Sequence, residues 1–94
     1  MMHRYNGIWM ISGLSMRTSL LAEYARSSKR RLEAKEFLSE IASYLWAHDR
    51  AGRLPHKKTF NLPYDEHLLL KIHREPNGGF EVIEFITLSQ EVSA

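Results

Sequence analysis

The sequence predicts a single α+β domain in which two helices pack on a small antiparallel sheet. Two strand-like runs flank the pair Asn77-Gly78, which is a strong signal for a β-hairpin. Apolar residues recur at helical spacing between positions 16 and 51. The 94 residues suffice for one domain with one modest core. We therefore expect the element order β-α-α-β-β-β, with the β-hairpin last.

Composition narrows the classes of function. The chain has no cysteine, which excludes disulfides, thiol catalysis and cysteine-bound metals and is in keeping with a cytoplasmic location. The formal net charge of +2 permits nucleic-acid binding without demanding it. The longest apolar run, Ile8–Ile11, is far too short to span a membrane, and the N-terminus lacks the pattern of a signal peptide. We expect no membrane partner.

The N-terminal segment is expected to form one brief strand. The run Ile8–Ile11 lies between two glycines, and residues 1–15 are predicted to be either a short strand or poorly ordered. Methionines leave the start of the native chain open between four positions, Met1, Met2, Met10 and Met16.

Two helices are predicted, over residues 16–26 and 29–51. Ser15 and Ser28 are suitable N-caps, and Gly52 is suited to the position just after the second helix. The apolar stripes of the two segments point about 110° apart at 100° per residue, so one straight helix would bury only one of them. We therefore expect a break between the segments.

Three strands are predicted after the helices. The first covers His56–Leu62 and is followed by a turn at Pro63–Asp65. The hairpin strands cover residues 66–74 and 80–88. The tail, residues 89–94, is expected to be frayed.

A turn centred on residues 77–78 fixes the register of the hairpin. It places Lys71 opposite Glu84 and Arg74 opposite Glu81, two pairs of opposite charge. One face is then apolar and forms the core, with Leu68, Leu70, Ile72, Ile83 and Phe85. The other face is mixed, with Leu69, Lys71, His73, Val82, Glu84 and Ile86.

Basic side chains are the candidates for nucleic-acid binding. The densest group spans the end of the second helix and the connector after it: Arg50, Arg53, His56, Lys57 and Lys58. A second group begins the second helix: Lys29, Arg30 and Arg31. Both groups could hold phosphates. Both are also compatible with a solvated surface: a helix C-terminus favours cations such as Arg50 and Arg53, whereas the helix N-terminus at residues 29–31 disfavours them.

The residues match no specific catalytic or metal motif. His73 and Lys71 are the candidates for proton transfer. Lys71 lies between His67 and His73 on one hairpin face, which argues against a cation site there. We expect no metal and no cofactor, and no small-molecule substrate is evident.

Three apolar residues are candidates for a partner surface: Trp46, Val82 and Ile86. Trp46 lies off the apolar stripe of the second helix. We expect it to pack under the sheet or against the N-terminal segment in preference to contacting a partner. The edge of the hairpin could add to a partner's sheet. Self-association would cover the same surface and give a homodimer.

The element order, in a small basic chain, resembles the RelE/ParE-like toxins of toxin–antitoxin modules. The runs at 59–62, 68–72 and 80–88 would match the three strands of those toxins. The resemblance implies a ribosome-dependent endoribonuclease or a gyrase poison. In RNA-cutting members, basic residues on these strands bind and polarise RNA, and the corresponding candidates here are Lys57, Lys58, Lys71 and His73. Residues 89–94 lack the Arg, His or Tyr that such toxins carry after the last strand, which argues against cleavage.

Two functions are therefore expected, in order of preference. The first is a small non-enzymatic binding protein, encoded by a phage or mobile element, that inhibits or modulates a host protein or ribonucleoprotein. The alternative is a RelE-like mRNA endonuclease. Binding is preferred because no set of catalytic side chains is evident.

Overall fold

The computed structural model describes residues 2–5, 7–27 and 34–88. Two helices pack on one face of a six-stranded sheet with strand order β1-β2-β3-β6-β5-β4. The elements in chain order are β1 Met2–Tyr5, β2 Ile8–Ile11, β3 Leu14–Arg17, α1 Thr18–Ser27, α2 Ala34–Arg50, β4 Thr59–Asp65, β5 Leu68–Arg74 and β6 Phe80–Thr87. The α+β class is confirmed. Neither helix is long and apolar enough to cross a membrane.

The N-terminal segment forms three strands, where only β2 was predicted. The predicted order is therefore wrong in this part of the chain, as is the placement of Ser15 and Met16 at a helix start. Leu14 and Met16 are both fully buried while Arg17 is exposed, which is the alternation of a strand. The turn between β2 and β3 has positive φ angles at Ser12 and Gly13, 48° and 80°, as a tight hairpin requires.

The sheet is mixed because β3 and β6 run parallel. Leu14 lies beside Phe80 and Met16 beside Val82, whereas every other neighbouring pair of strands is antiparallel. The Phe80 amide donates to the carbonyl of Gly13 at 2.8 Å. This contact joins the N-terminal strands to the predicted hairpin.

The two predicted helices are present, and residues 28–33 between them, where the predicted break falls, lie outside the described residues. Helix α1 begins at Thr18 rather than Met16. The predicted cap Ser28 and the basic residues Lys29, Arg30 and Arg31 lie outside the described residues. Gly52 follows α2 as predicted, with φ at 68°. Its amide donates to Asp49 O and the next amide donates to His48 O, which together form a Schellman motif.

The core lies between α2 and the inner face of the sheet. Helix α2 contributes a stripe of fully buried side chains, Phe37, Leu38, Ile41 and Leu45. The sheet contributes Leu14, Met16, Phe60, Leu62, Leu70, Ile72, Phe80 and Val82. No helix of the described chain covers the other face, which we call the outer face.

The register of the β5–β6 hairpin is confirmed only away from its turn. Pairs from Leu68–Thr87 to Lys71–Glu84 are as predicted, but a bulge then shifts the pairing by one residue. Ile72 therefore pairs with Val82, which is fully buried, and the predicted placement of Val82 on the mixed face is wrong. A bulge inverts the alternation of side chains beyond it.

The cause of the shift is a five-residue loop, residues 75–79, in place of the predicted turn centred on residues 77–78, with a loop of two or four residues. The Gly78 amide donates to Glu75 O at 3.0 Å, so Pro76 and Asn77 are the central residues of the turn. Proline favours the first central position because its φ is already fixed. Arg74 consequently pairs with Phe80, and its predicted pairing with Glu81 is wrong.

The predicted turn at Pro63–Asp65 is also wrong, because these residues extend β4. Pro63 is tolerated there since β4 is an edge strand. The hydroxyl of Tyr44 donates to the carbonyl of Pro63, which covers part of that edge from α2. Residues 56–58, predicted to begin the strand, belong to the loop before it.

Candidate nucleic-acid interface

The predicted basic cluster forms an exposed loop between α2 and β4. We call residues 53–58 the basic loop. Its cations Arg53, His56, Lys57 and Lys58 are exposed, as is Arg50 at the end of α2. None of these five side chains makes an ion pair with any part of the chain that the structure describes. The loop therefore presents its positive charge to solvent.

Arg74 fixes the backbone of the basic loop from β5. Its Nη2 donates to the carbonyl of Pro55 at 2.6 Å, and its Nε donates to that of Lys57 at 3.0 Å. Its own amide donates to the carbonyl of Lys58 at 2.8 Å. Hydrogen bonds from a guanidinium are strong and directional. Arg74 thus holds the loop backbone at three carbonyls, those of Pro55, Lys57 and Lys58.

Aromatic rings in turn position Arg74. Its Cζ lies 5.3 Å from the ring centroids of both Phe60 and Phe80, which is within the range of a cation–π contact. The two rings meet edge to face at 6.3 Å. Leu54, which belongs to the loop, is buried with 6% of its surface exposed. The loop is therefore anchored by packing as well as by hydrogen bonds.

A polar patch lies beside the basic loop on the outer face of β4 and β5. Thr59 lies opposite His73, and Asn61 lies opposite Lys71, so these four side chains share one face. The hydroxyl of Thr59 is 3.1 Å from Nδ1 of His73. A cavity of about 440 Å³ is lined by Thr59, Asn61 and Lys71 together with Lys57 of the loop. The structure thus brings Lys57 and Lys71, both predicted for RNA contact, to one concave site.

Carboxylates border this patch on β6. The Nζ of Lys71 lies 3.9 Å from Glu84, as the predicted pairing requires. Glu81 lies opposite His73, and its carboxylate is 3.9 Å from Nε of Arg17 on β3. Arg17 therefore takes the place predicted for Arg74, since the bulge moves Arg74 away.

The environment of Glu81 favours its neutral form. Burial raises the pKa of the Glu81 carboxyl above its ordinary value of 4.5, and both repulsion by Glu75 and a hydrogen bond with it act in the same direction. Arg17 and His73 oppose this rise in pKa. Glu81 therefore releases its proton at a higher pH than an ordinary glutamate does.

The residues predicted as a partner surface do not lie together. Trp46 packs against the N-terminal segment: its Nε1 donates to the carbonyl of Ser12 at 2.7 Å, and its ring meets Phe80 at 5.1 Å. Ile86 is half-buried on the outer face, opposite Leu69. Val82 is in the core.

Sequence reasoning missed Arg74 as the residue that organises the site. Its sequence spacing carries no signal, because its partners are backbone carbonyls 17 and 19 residues away. Among the described residues, no three histidines or carboxylates are grouped as metal ligands would be.

Comparisons with protein-family models, with curated proteins and with solved structures found no match for this chain. The resemblance to RelE/ParE-like toxins stays a prediction.

Proposed function

We propose that this protein is a non-enzymatic binding module that holds the phosphate backbone of RNA and so modulates a ribonucleoprotein target. The observation that carries the proposal is the clamp of Arg74 on the basic loop. Because Arg74 satisfies the backbone carbonyls of the loop, Arg53, Lys57 and Lys58 are left to contact a ligand.

Fixing the loop before binding lowers the cost of binding. A mobile loop must order both its backbone and its side chains on binding, and each side chain that becomes ordered costs about 0.5–1.5 kcal/mol. The backbone of a clamped loop is already ordered in the folded protein, so only the side-chain cost remains. The neighbouring cavity adds Lys71 and the amide of Asn61 as further groups for phosphate. Exposed positive charge and a concave surface therefore lie side by side at the basic loop.

Salt-dependent binding tests this proposal. We expect Lys58→Ala to weaken binding of a labelled single-stranded RNA and to reduce the slope of log K against log salt by about 0.7. The double variant Lys57→Ala/Lys58→Ala should reduce the slope by about 1.4. Each phosphate contact that is lost lowers the number of counterions released on binding. Fluorescence anisotropy over a series of salt concentrations measures both quantities.

Arg17→Ala is the matched control, since it also removes one exposed cation. Arg17 belongs to β3, and two strands lie between β3 and β4. Its variant should keep the wild-type slope. Equal slopes for wild type and both lysine variants would show that RNA does not bind at the basic loop.

A ribosome-dependent mRNA endonuclease is the second candidate. The observation that favours it is the row Thr59, His73 and Glu81 across three strands, in which a histidine lies between a hydroxyl and a carboxyl group. Such a histidine could accept a proton from a ribose hydroxyl.

Primer extension on mRNA from a cell-free translation reaction separates the two candidates. New cuts that disappear with His73→Ala would establish the nuclease. Halted synthesis with intact mRNA is the result expected for the binding module.

A further inference from the structure

A second cavity, of about 430 Å³, lies between α2 and the turn that joins β2 to β3. It is separate from the cavity beside the basic loop. Its polar lining comes from Ser12, Ser39, Ser43 and Arg50, and Trp46 is its aromatic wall.

Four of these side chains form one stripe along α2. Ser39, Ser43, Trp46 and Arg50 follow one another at intervals of four, three and four residues, which places them on a single helix face. Trp46 and Arg50 are one helical turn apart, about 6 Å along the axis, a separation that one nucleotide spans. An aromatic ring and a cation therefore lie next to each other along α2 in the same cavity.

Trp46 is held rigidly. Its indole N–H is already bonded to the carbonyl of Ser12, and its ring rests on Phe80. Gly13 closes one side, where a Cβ would lie only 3.1 Å from the ring. Trp46 is nevertheless half-exposed, so part of its surface is open to the cavity. A fixed aromatic ring costs little entropy to use in binding.

Arg50 connects this cavity to the basic loop. It is exposed at the last residue of α2, and the loop follows three residues later. Exposed basic residues therefore recur along the chain from Arg50, at the cavity, to Lys58 at the end of the loop. Proteins that bind single strands combine such a cationic track with aromatic rings on which bases stack.

We propose that this cavity binds one nucleotide of single-stranded RNA, with its base against Trp46 and its phosphate on Arg50. The inference rests on the proposed function, and it adds that the ligand is single-stranded. Bases within a duplex are stacked on one another, so they cannot reach Trp46.

Tryptophan fluorescence tests the inference. The chain has two tryptophans, so Trp9→Phe leaves Trp46 as the only reporter. We expect a single-stranded oligoribonucleotide to quench this fluorescence and to bind about tenfold more tightly than an abasic oligonucleotide with the same number of phosphates, because a stacked base contributes about 1–3 kcal/mol.

A pair of helix-surface variants locates the effect without disturbing the core. Ser43→Glu places a carboxylate in the cavity, and Ala47→Glu makes the same charge change at an exposed position outside it. Only Ser43→Glu should abolish the preference for the oligoribonucleotide over its abasic counterpart.

Equal affinity for the two oligonucleotides, without quenching, would overturn the inference while leaving RNA binding by the basic loop intact. Absence of binding to either oligonucleotide would overturn the proposed function as well.

Discussion

Gly79 lies where the turn of the β2–β3 hairpin meets the β5–β6 loop. A Cβ at this position would be 2.5 Å from the carbonyl oxygen of Gly13, and backbone atoms cannot yield as a flexible side chain can. We expect Gly79→Ala to lower the free energy of unfolding by roughly 1–3 kcal/mol, the usual cost of forcing backbone shifts in a packed region. Chemical denaturation measures this change.

Gly78→Ala is the comparison for this effect. Gly78 has φ at 91° and open space around it, so alanine there strains the loop without touching the N-terminal strands. Hydrogen exchange of the Phe80 amide, which donates to Gly13, should accelerate in Gly79→Ala and not in Gly78→Ala. Equal acceleration would contradict the steric explanation.

Glu81 should make stability depend on pH. Its pKa is raised in the folded protein, so the folded state binds more protons than the unfolded state at pH values between 4.5 and the raised pKa. The free energy of unfolding should therefore fall as pH rises through this interval. Glu81→Gln should flatten that fall, as thermal or urea unfolding at several pH values would show.

Glu84→Gln provides the control on the same strand, since it removes an exposed carboxylate and leaves Glu81 in place. It should retain the fall in stability. A fall that persists unchanged in Glu81→Gln would assign the pH dependence to another group.

At the scale of elements, Arg74 makes the basic loop behave as part of the sheet. Arg74→Lys keeps the charge but cannot donate to two carbonyls in the same geometry. We expect a loss of roughly 1.5–3 kcal/mol in stability, the range for a hydrogen bond to a charged group, and a several-fold loss in RNA affinity. Urea unfolding and fluorescence anisotropy measure the two effects.

Arg53→Lys is the matched conservative change within the loop. Arg53 is exposed, and its side chain makes no hydrogen bond to the described chain. Its variant should keep both stability and affinity. If Arg74→Lys bound RNA as well as Arg53→Lys does, the clamp would be irrelevant to binding.

Elements defined by local pattern were predictable from the sequence. The buried stripe of α2 runs from Phe37 to Leu45, over about two turns, and the Schellman motif at Gly52 needs only the residues around it. Strand β3 was missed because its alternation covers only four residues, too few to separate a strand from a helix start. Its strand conformation depends on pairing with β6, more than sixty residues away.

At the scale of the whole molecule, the exposed basic loop lies at one edge of the sheet. The basic loop adjoins the edge strand β4, whereas Glu81 and Glu84 lie on β6, nearer the centre. The cluster of cations could be predicted because it is contiguous in sequence. Its clamp could not, because it joins β5 to the loop through backbone carbonyls that carry no sequence signature.

The position of β6 has a consequence for synthesis of the chain. This strand lies between β3 and β5, so the edge of β3 that faces away from β2 has no neighbour until β6 has been made. Contacts of such high sequence separation slow folding. A ribosome paused before β6 would therefore carry a nascent chain whose β3 edge is open to pairing with another strand.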